Sequence, residues 1–186
     1  MEVLITGLDG LLGISLMRFL PERKYEVSVL MHPLSKSETL GGHNIQRQYG
    51  DIFRPESLLA SFTVKHAVIH SVVSTTVWPA RSEASRQMNV AGTRNIIEAC
   101  LQHSIKRLVF IGSASSVSTR AKPGEKHSFP EVKFGLDYID SKYEAFRLVM
   151  KAVKTRLKRR YFREDSWKGT SAQLPHVADV MRRAIR

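Results

Sequence analysis

Three glycines, Gly7, Gly10 and Gly13, recur at three-residue intervals directly after the apolar run 2–6 (EVLIT) and lead into a segment of helical pattern, 11–20. The spacing forces a strand to turn tightly into a helix, with no side chain on the backbone at the turn. To about residue 150, short β-branched runs keep alternating with helical patterns. Strands are expected at 26–31, 44–48 (weak), 67–73 and 107–112, and helices at 55–62, 83–103 and 138–153. Pro55 suits a first helical turn. That alternation predicts an α/β fold: a Rossmann-type, doubly wound parallel sheet with helices on both faces.

In such a fold the turn after the first strand presents unpaired amides and the positive end of a helix dipole, which suit a diphosphate. A glycine triplet alone fits an ordinary turn as well; the strand before it and the helix after it favour a dinucleotide. The acid expected about 20 residues further on, to take the ribose hydroxyls of NAD, is missing. His32 and Lys36 stand there instead, which points to NADP before NAD. Asp51 follows the third strand and is placed either to accept from an adenine amino group or to cap the next helix.

Tyr138 and Lys142 are four residues apart, so on a helix they share one face. A free phenol, with a pKa of about 10, exchanges protons poorly at neutral pH, and a neighbouring ammonium favours its phenolate. Tyr138 then serves as acid or base for an alcohol–carbonyl pair. Ser113 closes the strand at 107–112, at the sheet edge where ligands sit, and can bond the substrate oxygen. Ser115 and Ser116 are rivals for that role. Cys100, the single cysteine, falls in a helical apolar stripe with Ile96, Ile97 and Leu101 and reads as buried and inert.

These segments together resemble the extended short-chain dehydrogenases/reductases, the NAD(P)-dependent epimerase/dehydratase and 3β-hydroxysteroid dehydrogenase group. The resemblance is carried by Thr6-Gly7-Leu8-Asp9-Gly10-Leu11-Leu12-Gly13, Gly50-Asp51, "VIHSVV", "NVAGTRN" from Asn89 to Asn95, and Ser113, Tyr138 and Lys142. It implies a coenzyme held by Thr6, Gly7, Gly10, Leu11, Leu12, Gly13, His32, Lys36, Asp51, Ile52 and Asn89, with Tyr138 and Lys142, and no metal. It also implies hydride transfer between NADP or NAD and a small secondary alcohol or ketone of steroid, flavonoid or sugar-nucleotide kind, and a homodimer. "HSVV" departs from the small alanines usual after the fourth strand, and His70 is expected to pack at the strand end.

Residues 1–150 are expected to form the NAD(P)-binding domain and 151–186 a basic tail, helical or irregular, with no further strand and the substrate lobe largely missing. The net charge of +12 is concentrated there: from Lys151 on, 11 Lys and Arg face three Asp and Glu, leaving +4 on the first 150 residues. A solvated face explains such a run, so neither nucleic acid nor membrane contact is expected of it. The start, MEVLITG, lacks the pattern of a secretory signal, and a cytoplasmic, shortened form of a longer reductase is the expectation. The alternative function is an inactive dinucleotide-binding module acting through a partner.

Overall fold

The aliphatic runs pair into one parallel sheet because each is apolar on both faces and is buried from both sides. A computed structural model describes residues 1–7, 11–35, 45–74, 82–113, 135–155 and 158–163. Its strands are β1 (Glu2–Thr6), β2 (Glu26–Met31), β3 (Gln46–Tyr49), β4 (Ala67–His70), β5 (Arg107–Gly112) and β6 (Lys158–Arg163). Their order is β3-β2-β1-β4-β5-β6. The chain runs outward from β1 to β3, then returns to β4 on the other side of β1. The crevice between the carboxyl ends of β1 and β4 is therefore the switch point of the sheet.

Helix α1 (Leu11–Glu22) covers one face, where Leu16, Met17 and Leu20 pack on Val3, Ile5, Val29, Ile69 and Val109. The other face carries α2 (Pro55–Phe62), α4 (Thr93–Gln102) and α5 (Asp137–Thr155). Leu58, Phe62, Ile96, Cys100, Phe146 and Val149 from these helices pack there on Leu4, Leu30, Val68 and Phe110. Burial pushes the Cys100 thiol pKa up, in keeping with an inert core residue. Pro55 opens α2 as expected. No helix among the described residues is long and apolar enough to cross a membrane.

Three expectations need correction. Sequence reading finds no strand after Met150, yet α5 runs on to Thr155 and β6 pairs with β5 in parallel from Arg107↔Lys158 to Gly112↔Arg163. A basic run can occupy a sheet edge because the pairing with β5 is made by backbone groups, which every residue type carries. The strand expected at 67–73 stops at His70, because the Ser71 hydroxyl turns to the carbonyls of Thr6 (2.6 Å) and Gly7 (3.1 Å). The single helix expected over 83–103 is divided into α3 (Glu83–Arg86), a π-helical turn (Gln87–Gly92) and α4.

Thr6, His70 and Phe110 lie in register across β1, β4 and β5, on the face covered by α2, α4 and α5. Burial holds the His70 imidazole down at a pKa of about 3, and the nearby Lys142 ammonium adds to the effect. The unfolded chain binds a proton at His70 below about 6.5 while the folded chain does not. Stability is therefore fully present above pH 6.5 and is lost between 6.5 and about 3. The slope from this residue is about 1.4 kcal/mol per pH unit. Urea midpoints measured across that range should fall more steeply for the parent chain than for His70→Gln. Equal slopes would remove His70 as the cause.

Val64 follows the carboxyl-terminal cap of α2 at φ +62° and is exposed. A β-branched residue in that left-handed position is strained by about 1–2 kcal/mol, where glycine is not. Val64→Gly should raise the urea midpoint by the equivalent of about 1 kcal/mol, the added freedom of the unfolded glycine offsetting part of the relief.

Candidate functional site

Gly7, directly after β1, meets the segment that follows β4 almost backbone to backbone. Gly7 has φ +85°, and a Cβ there would lie 2.5 Å from the carbonyl carbon of Ser71 and from the amide nitrogen of Val72. No side chain fits, so the bare backbone expected for a diphosphate cradle is present at Gly7. Beside it, a cleft of about 460 Å³ is lined by Gly7, Leu30, Met31, His32, Ser35, Gly50, Asp51, Ile52, Phe53, Ser71, Val72, Val73 and Met88. A cleft of this size beside a glycine wall, at the switch point, fits part of a dinucleotide.

Several residues singled out from the sequence meet in that cleft. His32 follows β2 and is exposed, its Nδ1 accepting from the Leu34 amide at 3.2 Å. Asp51 follows Gly50. Its Oδ1 accepts from the Phe53 amide at 2.8 Å, and its Oδ2 lies 3.9 Å from both His32 Nε2 and Arg54 Nε. Asp51 thus shapes the turn before α2 while its side chain borders the cleft. The carbonyl of Ile52 accepts from Asn95 Nδ2 at 2.7 Å, and the Ile52 side chain lies against Gly92, where a Cβ would come within 2.6 Å. Thr6 ends β1, Leu11 opens α1, and Leu12 packs toward the core. Gly13 is buried on α1. Gly10, Lys36, Ser115, Ser116 and most of the stretch 118–135 lie outside the described residues.

Ser113 follows β5 and is buried; Tyr138 and Lys142 sit one turn apart on α5. Lys142 is buried, and its Nζ donates to the carbonyl of Ile111 at 2.7 Å and lies 5.0 Å from the Phe110 ring centroid. The lysine therefore reaches the carboxyl end of β5, two residues before Ser113.

Helix α5 is held in that orientation by three ties to the segment 82–89. The Ser82 amide donates to Asp137 Oδ2 at 2.5 Å, Asn89 Nδ2 donates to Ser141 Oγ at 2.9 Å, and Arg86 pairs with Glu144. Residues 137, 141 and 144 form one stripe of the helix, and Tyr138 and Lys142 form the adjacent one. Asn89 is buried and fully engaged: Nδ2 also donates to the Ser74 carbonyl at 3.2 Å, and Oδ1 accepts from the Ser74 amide at 2.9 Å.

Sequence reasoning did not single out Ser71, Ser74, Ser82, Ser141 or Met88. The 137, 141, 144 polar stripe was a readable signal for the α5 ties, whereas nothing local marks Ser71 or Met88. His70 packs at the strand end as expected. Its ring is hydrogen-bonded on both sides, to Thr6 Oγ1 at 2.7 Å and Thr93 Oγ1 at 3.0 Å. Among the described residues no group of three or more His, Cys, Asp and Glu is placed to hold a metal.

Comparison with known proteins places this architecture. The chain is 33% identical over 138 residues to a 2-alkyl-3-oxoalkanoate reductase of Stenotrophomonas maltophilia, covering 74% of this chain and 41% of that one. It is 27% identical over 153 residues to a putative dihydroflavonol 4-reductase of Synechocystis, covering 81% and 44%. It thus spans about two-fifths of the length of these curated relatives. The crystal structure of Thermus thermophilus UDP-glucose 4-epimerase in complex with NAD superposes with a TM-score of 0.71 at 20% identity, covering 88% of this chain and 54% of that one. The model of the NAD dependent epimerase/dehydratase family matches residues 3–185. A match of that extent is more than a coincidence of short motifs, and it identifies the chain as a member of the NAD dependent epimerase/dehydratase family.

Proposed function

We propose that this chain is an NAD(P)-dependent oxidoreductase acting on a secondary alcohol or its ketone, with Ser113, Tyr138 and Lys142 as its working side chains. The observation that carries this reading is the buried Lys142, whose Nζ is fixed at the carboxyl end of β5, next to Ser113 and one helical turn from Tyr138. A buried ammonium is costly unless it is hydrogen-bonded, and the strand-end carbonyl of Ile111 supplies such a bond and fixes where Nζ stands.

Each residue has a separate task. The Ser113 hydroxyl donates to the substrate oxygen and orients it. Tyr138 gives its phenolic proton to that oxygen in reduction and removes it in oxidation. Lys142, on the same helix face as Tyr138, can donate to a ribose hydroxyl. The nicotinamide, when bound, supplies or accepts the hydride. Gly7 and the amides of the turn would take the diphosphate, and Asp51 and Ile52 would border the adenine. His32, with Lys36, would meet a ribose 2′-phosphate, which favours NADP. Relatives described as a 2-alkyl-3-oxoalkanoate reductase and a putative dihydroflavonol 4-reductase both suggest a ketone substrate.

The second reading is a module that binds the dinucleotide without turnover. It predicts coenzyme binding with no turnover.

Titration with NADPH and NADH, followed by coenzyme fluorescence and thermal stability, tests what both readings share, since a ligand of the native state raises its stability. Gly7→Ala should weaken binding at least about tenfold, because its Cβ has no room and its φ disfavours any side chain. His32→Asp should shift preference from NADPH toward NADH by about tenfold, through repulsion of the 2′-phosphate. Unchanged affinities in both variants would remove the cleft as the coenzyme site.

Turnover separates the two readings. With a panel of β-keto acids, flavonoid ketones and hydroxysteroids, Tyr138→Phe should lose about 100-fold or more in kcat, while coenzyme affinity stays within about twofold. Equal turnover by both forms would exclude Tyr138 from proton transfer. Coenzyme binding without turnover of any panel member by the parent chain would favour the inert module.

A further inference from the structure

We infer that His70 is a positioning residue, which through a single file of hydrogen bonds ties the turn after β1 to the peptide of Tyr138 and sets where the tyrosine stands relative to the Gly7 cradle. The catalytic part of this inference rests on Tyr138 acting as proposed above.

The file passes once through the covalent frame of Asn89, from its main-chain carbonyl to its carboxamide, and each proton in it can be assigned. The Thr93 hydroxyl donates to the Asn89 carbonyl at 2.7 Å, which uses its one proton. Toward His70 Nε2, 3.0 Å away, Thr93 Oγ1 can only accept, so the imidazole carries its hydrogen on Nε2. His70 Nδ1 is then the acceptor and takes the Thr6 hydroxyl proton at 2.7 Å. Further along, Asn89 Oδ1 accepts from the Ser74 amide, which fixes the carboxamide so that Nδ2 donates to Ser141 Oγ at 2.9 Å. Ser141 finally donates to the carbonyl of Tyr138 at 3.0 Å. Thr6 at one end is bonded covalently to Gly7; Tyr138 stands at the other.

No member of the file is open to bulk solvent. Thr6, His70, Asn89, Thr93 and Ser141 are each no more than 2% exposed. A file of buried, singly assigned bonds has one arrangement, and breaking one link leaves a donor or acceptor without a partner. The π-helical turn, Gln87–Gly92, contains Asn89, and Thr93 follows it directly; its widened backbone brings both onto the file. An imidazole suits the central place because it offers one donor and one acceptor on opposite sides of a rigid ring. Lys142 is the charged group that faces it.

The test compares the parent chain with His70→Leu, Thr93→Val, the double variant and His70→Gln. Amide hydrogen exchange is read at residues 5–7 and 138–142, and kcat and coenzyme KM are measured on folded protein. Each single break should speed exchange in both segments by about tenfold, with little further change in the double variant. It should also lower kcat by about tenfold while coenzyme KM stays within about twofold. His70→Gln, which keeps a donor and an acceptor, should recover most of both effects.

Exchange that changes only beside the substituted residue, or kcat and KM that move together with thermal stability, would reduce His70 to a packing residue. Long-range proton–nitrogen spectra give an independent check, because a proton on Nδ1 in place of Nε2 would overturn the assignment. A parent chain inert toward every substrate would defeat the catalytic reading, and the exchange result alone would then decide whether His70 couples the two segments.

Discussion

The backbone at Gly7 lies 2.5 Å, measured from the position a Cβ would take, from the backbone at Ser71 and Val72. Nearly everything at the carboxyl edge of the sheet follows from that approach. Beside it, the Ser71 hydroxyl bonds the Thr6 and Gly7 carbonyls and ends β4 at His70. Because β4 ends there, Ser71 to Val73 form one rim of the cleft, and Ser74 meets Asn89 on the helical layer. The cleft is the space left between that rim and the residues following β2 and β3.

The sheet below the edge and the edge itself are held by different forces. From Val3 to Ile5 and from Ala67 to Ile69 the strands are fully buried among aliphatic side chains, which supply stability without fixing any one atom. At the next residue on each strand, Thr6 and His70, polar side chains replace them, and each finds a hydrogen-bond partner. A buried polar layer adds little net stability but penalises every alternative arrangement, so it specifies positions. The transition from apolar to polar falls where a reaction would need precision.

Much of this was legible in the sequence, for physical reasons that differ from element to element. Strands β1, β2, β4 and β5 show as apolar runs because a parallel sheet buried on both faces demands them. The glycine turn shows because a close backbone approach tolerates nothing larger, and Tyr138 and Lys142 show because a helix brings residues four apart together. β6 did not show: KRRYFR has no apolar face, and its place comes from six backbone pairings with β5 that no residue choice announces. The π-helical turn was hidden because the apolar spacing of the helix continues through Val90, Ile96 and Ile97 and masks the one-residue widening. The chemistry of Ser71 and Asn89 depends on segments 64 or 65 and 52 residues away, so it exists only once the sheet is assembled.

Asn89 shows how one side chain can hold two parts of a site together. Both of its amide protons and one lone pair of its oxygen are taken by Ser74 and Ser141, so its side chain has little left to offer a coenzyme. What it holds is the segment at Ser74 on one side and the helix of Tyr138 and Lys142 on the other. The same holds for Thr93, whose hydroxyl faces two partners inside the protein. Substituting either residue should therefore alter the distance between the cradle and the phenol and leave the chemistry of both intact, which is the signature of geometry in place of direct contact.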